Sequence, residues 1–559
     1  MKYRRLAEYY ERLESTTKNL EKIDIVAELF REAKKEDLEI LALAVMGQVF
    51  PEYSEQEIGI ASKLMRKVIA SAYGVSEEEV LKHYRDSGDL GLTAEHFAKN
   101  KRQRTLGMKE LTVEKVFENI RKLPEITGAR SQERKIGIIK ELLVSSSPKE
   151  AKYIVRTILG EMRVGVGEGT VRDAIAKAFG VSPQVVEDAY NLLTDYGEVA
   201  LIAKEKGEEG LKNVSLQIGK PIRVMLAEST SSMEEALEKA ENPALEYKYD
   251  GMRSQIHIKG DKIWIFTRRL EDVTEQFPDL VEMVRESVKS KECIIEGETI
   301  GLTPDRKKLV PFQKLSRRIK RKYGIEEMAK KIPVKLELFD AIYINGKNLM
   351  GMTQKERREA LERIVNEVKG KVALARQLVT KDLDEANKFF DEAIREGEEG
   401  VMVKNQNAVY KPGKRVGYWY KVKSVMETLD LVIVRAEWGH GKRSGWLSSY
   451  TLACRDPETN ELKTVGKMAS GLTEEQLEDM TERLKDLIIG EKDREVIIKP
   501  KIVVEVMYNE IQKSPTYESG FALRFPRLKQ IREDKSPHEA DTIERISRLY
   551  EQQKGKSPK

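Results

Sequence analysis

The sequence is poor in the residues that build covalent or zinc-stabilised frameworks. Only two of its 559 residues are cysteine and five are histidine. Cys293 and Cys454 are far apart and lack the short spacing of zinc ligands, which argues against a disulfide scaffold and against a structural zinc site. The low cysteine usage instead fits a reduced, cytoplasmic setting.

Long apolar runs are also missing. The longest one, ILALAVMG, is well short of the roughly 20 residues that a transmembrane helix needs. The amino-terminal segment MKYRRLAEYYERLE is charged throughout, whereas a signal peptide has an apolar core. These two features predict a soluble protein with no membrane partner.

An excess of charge of one sign is absent as well. The 99 lysines and arginines are nearly balanced by 94 acidic residues, so the net charge of +5 does not by itself indicate a nucleic-acid partner. Charged residues still make up 35% of the chain, above the roughly 25% of average proteins. This composition suits the ion-pair networks of a thermophile. The length predicts three or four domains of roughly 150 residues each.

The sequence does have a long helical beginning. The segment SPKEAKYIVRTILG (residues 147–160) predicts a helix that opens with a capping box and ends at Gly160. The next helix is predicted from near Thr170 to Gly180. Strand-like alternation is scarce before about residue 215. We therefore expect an all-α domain over residues 1–215.

A mixed region follows. Alternating isoleucines on both sides of KGDK (residues 259–262) predict a β-hairpin. The apolar runs ECIIEGETIG, VKLELFDAIYI and GVMVKN predict further strands. One of the intervening helices should open with a capping box from Thr353 to Glu356 and end near Gly370. These patterns predict an α+β domain over residues 216–426.

The last part of the chain is rich in strand patterns. The runs LDLVIVRAEWG, SSYTLACRD, LKTVGKM and KIVVEVMYNEI are separated by glycine turns, and one helical stretch, TEEQLEDMTERLKDLI, lies among them. A five-stranded barrel with one inserted helix is typical of an OB-fold. We therefore expect an OB-fold β-barrel over residues 427–559.

The first candidate for chemistry is the segment EYKYDGMR, residues 246–253. A lysine at a strand end is most simply a surface residue, but the pattern K-x-D-G-x-R is expected by chance in only about one per cent of chains this long. Lys248 could be a covalent nucleophile if nearby positive charge frees its amine lone pair. Glu298 and Glu399, beside apolar strands, are either solvated strand edges or ligands of Mg²⁺.

Two further patterns fit a nucleotide. Lys421 and Lys423 alternate onto one face of a strand, where two like charges are unfavourable unless an anion such as a triphosphate lies over them. Phe339 points to the face opposite Leu336 and Leu338. It is therefore either part of a second apolar face or a platform on which a base stacks.

Taken together, these segments resemble the ATP-dependent DNA ligases of the covalent nucleotidyltransferase superfamily, most closely the archaeal type. The resemblance covers nearly the whole chain, and the seven motifs occur in the family's order. They are EYKYDGMR, FTRRLEDVTEQFPD, IIEGE, LELFD, EEGVMVK, YWYKVK and RFPRLKQIREDK. The implied architecture is multidomain, with an all-α N-terminal domain, an α+β nucleotidyltransferase core and a C-terminal OB-fold β-barrel.

The resemblance also implies a role for each motif residue. Lys248 would form a lysyl-AMP intermediate, Glu246 would recognise adenine and Phe339 would stack on it. Arg253 and Glu298 would hold the ribose, and Glu298 with Glu399 would bind Mg²⁺, for which Mn²⁺ could substitute. The residues implied in phosphate binding are Arg268, Arg415, Lys421 and Lys423, and those implied in reaching the pyrophosphate are Arg532, Asp534 and Lys535.

The helical domain gains a role from the same resemblance. The link GEMRVGVGEG contains Arg163, Gly165 and Gly167 and precedes a helix N-terminus, which suits sequence-neutral phosphate binding; alternatively it is an ordinary turn. The segment QRTLGM (residues 103–108) lies where relatives carry a sliding-clamp motif, but it lacks the usual aromatic residues, so clamp binding is an open question. His440 is most simply a barrel-loop residue.

The expected function is therefore ATP-dependent sealing of nicked double-stranded DNA in replication, repair and recombination by a cytoplasmic monomer. An RNA ligase or a capping guanylyltransferase would share Lys248 but would not need 215 helical residues. A non-catalytic nucleic-acid clamp would not need Lys248, Glu298, Glu399 and Lys421 together. Use of ADP or GTP as the donor is left open.

Overall fold

The chain divides into two compact units in a computed structural model. The first comprises Met1–Thr230, Glu235–Val379 and Val403–Tyr420, and the second comprises Ser231–Glu234, Thr380–Met402 and Lys421–Lys559. The predicted limits of three domains, at 216 and 427, stay a prediction. The structure describes residues 1–54, 56–99, 110–128, 130–230, 232–310, 312–319, 321, 323–423, 428–439, 443, 445–469, 472–492 and 494–553.

The N-terminal part of the first unit is helical, as predicted. The capping box of Ser147 and Glu150 opens α9, and Gly160 ends it in the left-handed conformation with φ 69°. Helix α10 begins at Glu168, two residues before the predicted start. The helices are α1 (Tyr3–Glu14), α2 (Asn19–Glu32), α3 (Lys35–Ala44), α4 (Ser62–Tyr73), α5 (Glu77–Ser87), α6 (Leu90–Lys99), α7 (Val113–Arg121), α8 (Ser131–Ser145), α9 (Pro148–Leu159), α10 (Glu168–Phe179), α11 (Pro183–Leu193) and α12 (Tyr196–Lys212).

A buried ion pair joins two of these helices. The Arg156 guanidinium on α9 donates to the carboxylate of Asp89, just before α6, with Nη2 at 2.8 Å from Oδ2. The two side chains are 3% and 4% exposed. Burial alone would raise the pKa of Asp89, but the hydrogen bonds and charge of Arg156 outweigh it, and the pKa lies below its ordinary value.

The middle part of the chain alternates strands with helices, as predicted. Strands β3 and β4 form the expected hairpin, with Lys259 opposite Lys262. The elements are β1 (Leu226–Ser229), α13 (Met233–Lys239), β2 (Pro243–Lys248), β3 (Met252–Lys259), β4 (Lys262–Thr267), α14 (Pro278–Ser287), β5 (Glu292–Leu302), β6 (Leu309–Val310), α15 (Phe312–Ile319), α16 (Ile325–Lys331), β7 (Val334–Ile344), β8 (Lys347–Asn348), α17 (Gln354–Ile364), β9 (Val372–Leu374), β10 (Gln377–Val379), α18 (Leu383–Arg395), β11 (Gly400–Asn405) and β12 (Arg415–Lys423).

Two sheets carry these strands. One has the order β4-β3-β5-β7-β8, with β6 paired to β5 and β9 to β7; the other has the order β1-β12-β11-β2-β10. Helix α17 opens with the predicted capping box but ends at Ile364, not near Gly370. The prediction of its end was wrong because Val365 is extended and forms a bridge with Val288, which stops the helix.

The C-terminal part of the second unit is strand-rich with one inserted helix, as predicted. Its sheet has the order β15-β14-β13-β17-β16, and β18 pairs with both β13 and β21. Closure into a barrel stays a prediction. The elements are β13 (Leu429–Trp438), β14 (Leu447–Arg455), β15 (Leu462–Met468), α19 (Glu474–Lys485), β16 (Ile488–Lys492), β17 (Glu495–Ile498), β18 (Val503–Met507), β19 (Glu510–Lys513), β20 (Phe521–Arg524), β21 (Arg527–Ile531), a 3₁₀ helix (Pro537–Glu539) and α20 (Ile543–Gln553).

Each of three regions has its own apolar core. The cores lie among α1–α12, between the β3–β5–β7 sheet and its helices, and within the C-terminal strands with α19 and α20. Among the described residues, no helix is long and apolar enough to cross a membrane.

The buried ion pair gives a prediction on stability. Asp89→Asn should destabilise the helical region by about 3 kcal/mol, the lower end for breaking a buried pair, because Arg156 keeps contacts with Glu14. Since the folded pKa of Asp89 is depressed, its contribution is present above the unfolded pKa of about 4 and is lost as the pH falls below it.

The measurement is the unfolding temperature of both proteins from pH 7 to pH 3. The gap between wild type and Asp89→Asn should be constant near neutrality and narrow below about pH 4. Glu21→Gln, which removes an exposed partner of Lys18, is the matched control and should change nothing measurable. A gap that is independent of pH would contradict the assignment.

Candidate active site

Lys248 is the last residue of β2, and the turn after it is fixed by close packing. A Cβ at Gly251 would lie 2.5 Å from the Thr299 carbonyl oxygen and 2.9 Å from Cγ of Glu298. Only glycine fits such a close approach. The glycine of K-x-D-G-x-R therefore holds the turn that follows Lys248 directly against the residues of β5, including Glu298.

Arg253 follows this turn on β3, directly opposite Glu298 on β5. Its Nη1 donates to the Met225 carbonyl at 2.9 Å and its Nη2 to the Glu296 carboxylate at 2.7 Å. Burial alone would lower the pKa of Arg253, but the charge of Glu296 outweighs it, and the pKa lies above its ordinary value. Arg253 is therefore a permanent cation inside the sheet.

Glu296 is the acid on which this arrangement depends. Its side chain is fully buried, and it accepts hydrogen bonds from Arg253, from the Tyr410 hydroxyl at 3.0 Å and from Gln255 Nε2 at 3.3 Å. The Tyr410 hydroxyl accepts in turn from the Met225 backbone N–H at 3.0 Å. All of these groups belong to the first unit, and together they fix the direction of the Arg253 guanidinium.

Two aromatic rings and a lysine form the neighbouring pocket. Phe339 on β7 and Trp419 on β12 meet edge to face, with ring centroids 6.4 Å apart. Lys404 on β11 has its Nζ 4.4 Å from the Phe339 ring centroid and 4.5 Å from that of Trp419, and the Arg253 guanidinium lies 5.4 Å from both. These distances are those of cation–π contacts.

Glu246 lies at the far side of this lysine. Its carboxylate is 2.5 Å from Lys404 Nζ, and both side chains are almost completely buried. It also accepts a hydrogen bond from Gln377 Nε2 at 3.0 Å. Glu246, Arg253 and Phe339 therefore lie in one neighbourhood, and their roles in binding a nucleotide stay predictions.

Four residues of this neighbourhood were missed by the sequence analysis. A signal existed for some of them, because Glu296 lies two residues before Glu298 in IIEGE among isoleucines, and an acid in such a run needs a buried partner. Trp419 lies in YWYKVK, and its buried Nε1 has no hydrogen-bond partner among the described residues. The four missed residues are Glu296, Lys404, Tyr410 and Trp419.

The other predicted phosphate and metal residues are distributed over both units. Arg268 follows the last residue of β4 and Arg415 begins β12, both in the first unit. Glu399 immediately precedes β11, and Lys421 lies in β12, both in the second unit. Nothing is described for the side chains of Arg415 and Lys423. Among the described residues, no group of three or more His, Cys, Asp or Glu could hold a metal ion.

The cations of the C-terminal motif pair with acids of their own unit. Arg532 Nη1 lies 3.2 Å from the Asp430 carboxylate, and Lys535 Nζ lies 2.6 Å from it. Arg532 also donates through Nε and Nη2 to Asp534, at 2.9 and 2.7 Å. Asp430 is a further residue that the sequence analysis missed, since it lies 102 positions from Arg532.

The predicted DNA-binding loop connects α9 with α10. Arg163 has a positive φ of 59° and is about half exposed, with Nη1 3.4 Å from the Asp89 carboxylate. Lys22 is buried and donates to the carbonyl oxygens of Val164 and Gly165, at 2.5 and 3.2 Å. Gly167 caps the N-terminus of α10 in an extended conformation. The segment 103–108 and His440 lie outside the described residues.

Comparison with known proteins agrees with this organisation. Three family models match successive parts of the chain: "DNA ligase N terminus" matches residues 2–176, "ATP dependent DNA ligase domain" matches residues 224–423, and "ATP dependent DNA ligase C terminal region" matches residues 443–535.

Whole-length relatives extend the match. A DNA ligase of Nanoarchaeum equitans is 48% identical over 99% of this chain and 99% of its own, and one of Thermococcus onnurineus is 47% identical over 99% and 98%. A solved structure described as Pmar-Lig_PreS3 covers 94% of this chain and 99% of its own with a TM-score of 0.56; at 17% identity it shows likeness of fold alone.

The chain belongs to the ATP-dependent DNA ligase family. The predicted resemblance and the predicted class of enzyme are thereby confirmed, and so is the order of a helical region, a nucleotidyltransferase core and a strand-rich C-terminal region. The roles of individual residues stay predictions.

The aromatic pocket gives the second prediction. Phe339→Ala should raise the KM for ATP in self-adenylation by a factor that corresponds to about 1–3 kcal/mol, the value of a base stacked on an aromatic ring. Phe339→Leu keeps apolar volume but removes the π-face, so it should behave more like Phe339→Ala than like wild type. An unchanged KM with both variants would contradict stacking.

Proposed function

We propose that this protein seals nicks in duplex DNA by three chemical steps in which Lys248 is the nucleophile of the first. The observation that carries the proposal is the close approach at Gly251, which holds the turn after Lys248 against β5 beside the pocket of Phe339 and Trp419. A nucleophile on one sheet is then held close to a cation on the other, and strands of both sheets supply the aromatic pocket, as positioned group transfer requires.

In the first step, the amine nitrogen of Lys248 attacks the α-phosphorus of ATP. An N–P bond forms as the nitrogen loses a proton to solvent, the bond from phosphorus to the bridging oxygen breaks, and pyrophosphate leaves with the electron pair. Arg253 would hold the ribose together with Glu298, and Phe339 would stack on adenine. The phosphate oxygens would be met by Arg268, Arg415, Lys421 and Lys423, whose positive charge offsets the charge that develops on them.

Adenine recognition would require a local rearrangement of the pocket. Lys404 lies between the Phe339 ring and the Glu246 carboxylate, so the base must take over part of the place of its ammonium group. A lysine side chain has several rotatable bonds and can move along an apolar wall. Glu246, still held by Gln377, would then be able to accept a hydrogen bond from the adenine amino group.

In the next steps the same pocket handles the nick. The 5′-phosphate at the nick attacks the lysyl-AMP phosphorus, and the N–P bond breaks as the nitrogen takes up a proton, which returns Lys248 to its free form. The 3′-hydroxyl then attacks the activated 5′-phosphate and releases its proton to solvent, and AMP leaves as the phosphodiester bond forms. Each step develops negative charge on phosphoryl oxygens, so one set of cations serves all of them.

Mg²⁺ is proposed as the metal, with Mn²⁺ as a substitute. Mg²⁺ is typically bound by one or two carboxylates together with substrate phosphates and water, and Glu298 and Glu399 are the carboxylates proposed for this role. When bound, the ion would neutralise charge on the phosphate oxygens. Glu298 is fixed by its place on β5 opposite Arg253.

The helical region would hold the duplex. The loop of Arg163, Gly165 and Gly167 carries one arginine and precedes the N-terminus of α10, whose free N–H groups suit a phosphate. Twelve described helices before residue 213 favour duplex DNA over the RNA ends on which RNA ligases and capping enzymes act.

Two buried free thiols, Cys293 and Cys454, support the proposed cytoplasmic setting. We propose that the protein acts as a monomer.

The third prediction tests the nucleophile. Incubation with ATP labelled in the α-phosphate should give an acid-stable protein adduct that pyrophosphate reverses, and Lys248→Ala should give none. Lys259→Ala removes an exposed lysine at the end of β3, the next strand along the chain, and should label like wild type. Adduct on Lys248→Ala would refute the assignment, and parallel labelling with GTP or ADP would define the donor.

The fourth prediction tests the loop. Arg163→Ala should weaken binding to nicked DNA about equally for all sequences and lower the slope of log K against log salt by roughly 1, as expected for one lost phosphate contact. Self-adenylation should be unaffected. Arg4→Ala, at an exposed position of α1, is the control and should keep the wild-type slope. An unchanged slope with Arg163→Ala would remove this residue from the interface.

A further inference from the structure

Asp430 is the shared partner of the two cations in the C-terminal motif. Its carboxylate accepts from Arg532 Nη1, with both oxygens at 3.2 Å, and from Lys535 Nζ at 2.6 Å. One carboxylate therefore faces two positive charges at once. Without this carboxylate, the positive charges of Arg532 and Lys535 would repel each other.

The backbone holds Asp430 rigidly. The Asp430 N–H donates to the Asp541 carboxylate at 2.7 Å, and the Asp541 N–H donates to the Asp430 carbonyl at 2.8 Å. Asp430 is 8% exposed and lies in β13, opposite Glu505 of β18. The backbone that carries this carboxylate is thus fixed by a paired strand and by Asp541, a residue further along the chain.

Arg532 has a second acid partner of a different kind. Asp534 engages the Nε and Nη2 side of the guanidinium, but its side chain is 65% exposed, whereas that of Asp430 is 11% exposed. Because Asp534 is exposed to solvent, an incoming phosphate could take its place on the Nε and Nη2 atoms of Arg532. Asp430, which is held in its strand, would still accept the hydrogen bond from Nη1.

We propose that Asp430 is a positioning residue for the first step of the reaction. It holds Arg532 and Lys535 side by side as one anion-binding pair, while Asp534 is the partner that the leaving pyrophosphate displaces. Displacement of Asp534 removes one negative charge from beside the two cations and exposes the Nε and Nη2 side of the Arg532 guanidinium to the anion. This inference rests on the proposed function and on the role that the family resemblance implies for Arg532 and Lys535, which is to reach the leaving pyrophosphate.

The test is Asp430→Asn in the full-length protein. The single-turnover rate of lysyl-AMP formation should fall about tenfold, since a hydrogen bond to a charged group is worth at least one decade in a binding constant. The pyrophosphate concentration that half-saturates the reverse reaction of isolated lysyl-AMP protein should rise about tenfold for the same reason. Sealing of a chemically pre-adenylated nick should stay within about twofold of wild type, because that reaction needs no pyrophosphate contact.

A matched control separates positioning from stability. Glu505→Gln removes a neighbouring carboxylate of the same sheet that holds Lys529, at 2.8 Å, and Gln530, at 2.6 Å. It should leave lysyl-AMP formation at the wild-type rate. If Asp430→Asn does not fold, Asp430→Glu carries the test, because it keeps the charge but shifts it by one methylene. A slower first step at an unchanged unfolding temperature is then expected, and a wild-type first step overturns the proposal.

A mutant cycle distinguishes this inference from the function on which it rests. Arg532→Ala with Lys535→Ala should slow lysyl-AMP formation, and adding Asp430→Asn to that protein should cause no further loss, because Asp430 acts only through the two cations. A double variant with normal lysyl-AMP formation would refute the proposed role of the cations themselves. If the double variant is slow, a normal rate in Asp430→Asn, an additive loss in the triple variant or an equal loss in pre-adenylated sealing would each overturn the role of Asp430.

Discussion

The pocket of Phe339, Trp419 and Lys404 depends on one buried ion pair, that of Arg253 with Glu296. A charge inside a sheet is costly unless a partner of opposite charge compensates it and that partner is itself hydrogen-bonded. Glu296 also accepts hydrogen bonds from Tyr410 and Gln255, and the Tyr410 hydroxyl accepts one from the Met225 backbone N–H. Residues from separate parts of the sequence therefore contact the Glu296 carboxylate. The rings of Phe339 and Trp419 lie against the Arg253 guanidinium that this carboxylate holds.

Local patterns in the sequence predicted the parts of the fold that local forces determine. The hairpin around residues 259–262 and the helix ending at Gly160 were correct in position, because turns and caps are encoded by adjacent residues. The end of α17 was not, because a bridge between Val365 and Val288 decided it. Such a contact joins residues far apart and leaves no local signal.

The candidate site shows the same division. Lys248, Arg253 and Glu298 could be singled out because polar residues in a short motif beside apolar strands call for an explanation. Lys404 and Asp430 could not, because each looks like an ordinary charged residue until its partner is known. Lys404 is buried against Glu246, and Asp430 against two cations more than a hundred positions away. Residues that act through a distant partner become visible only in three dimensions.

The buried amine of Lys22 has a consequence for the phosphate binding that is proposed for the loop between α9 and α10. Because this amine bonds to the carbonyls of Val164 and Gly165, the backbone between α9 and α10 already has its shape in the free protein. A loop that is ordered in advance loses little conformational entropy when a ligand docks on it. The entropic cost of ordering the loop, which grows with temperature, is therefore largely met during folding. The phosphate binding proposed for this loop would then weaken less on heating.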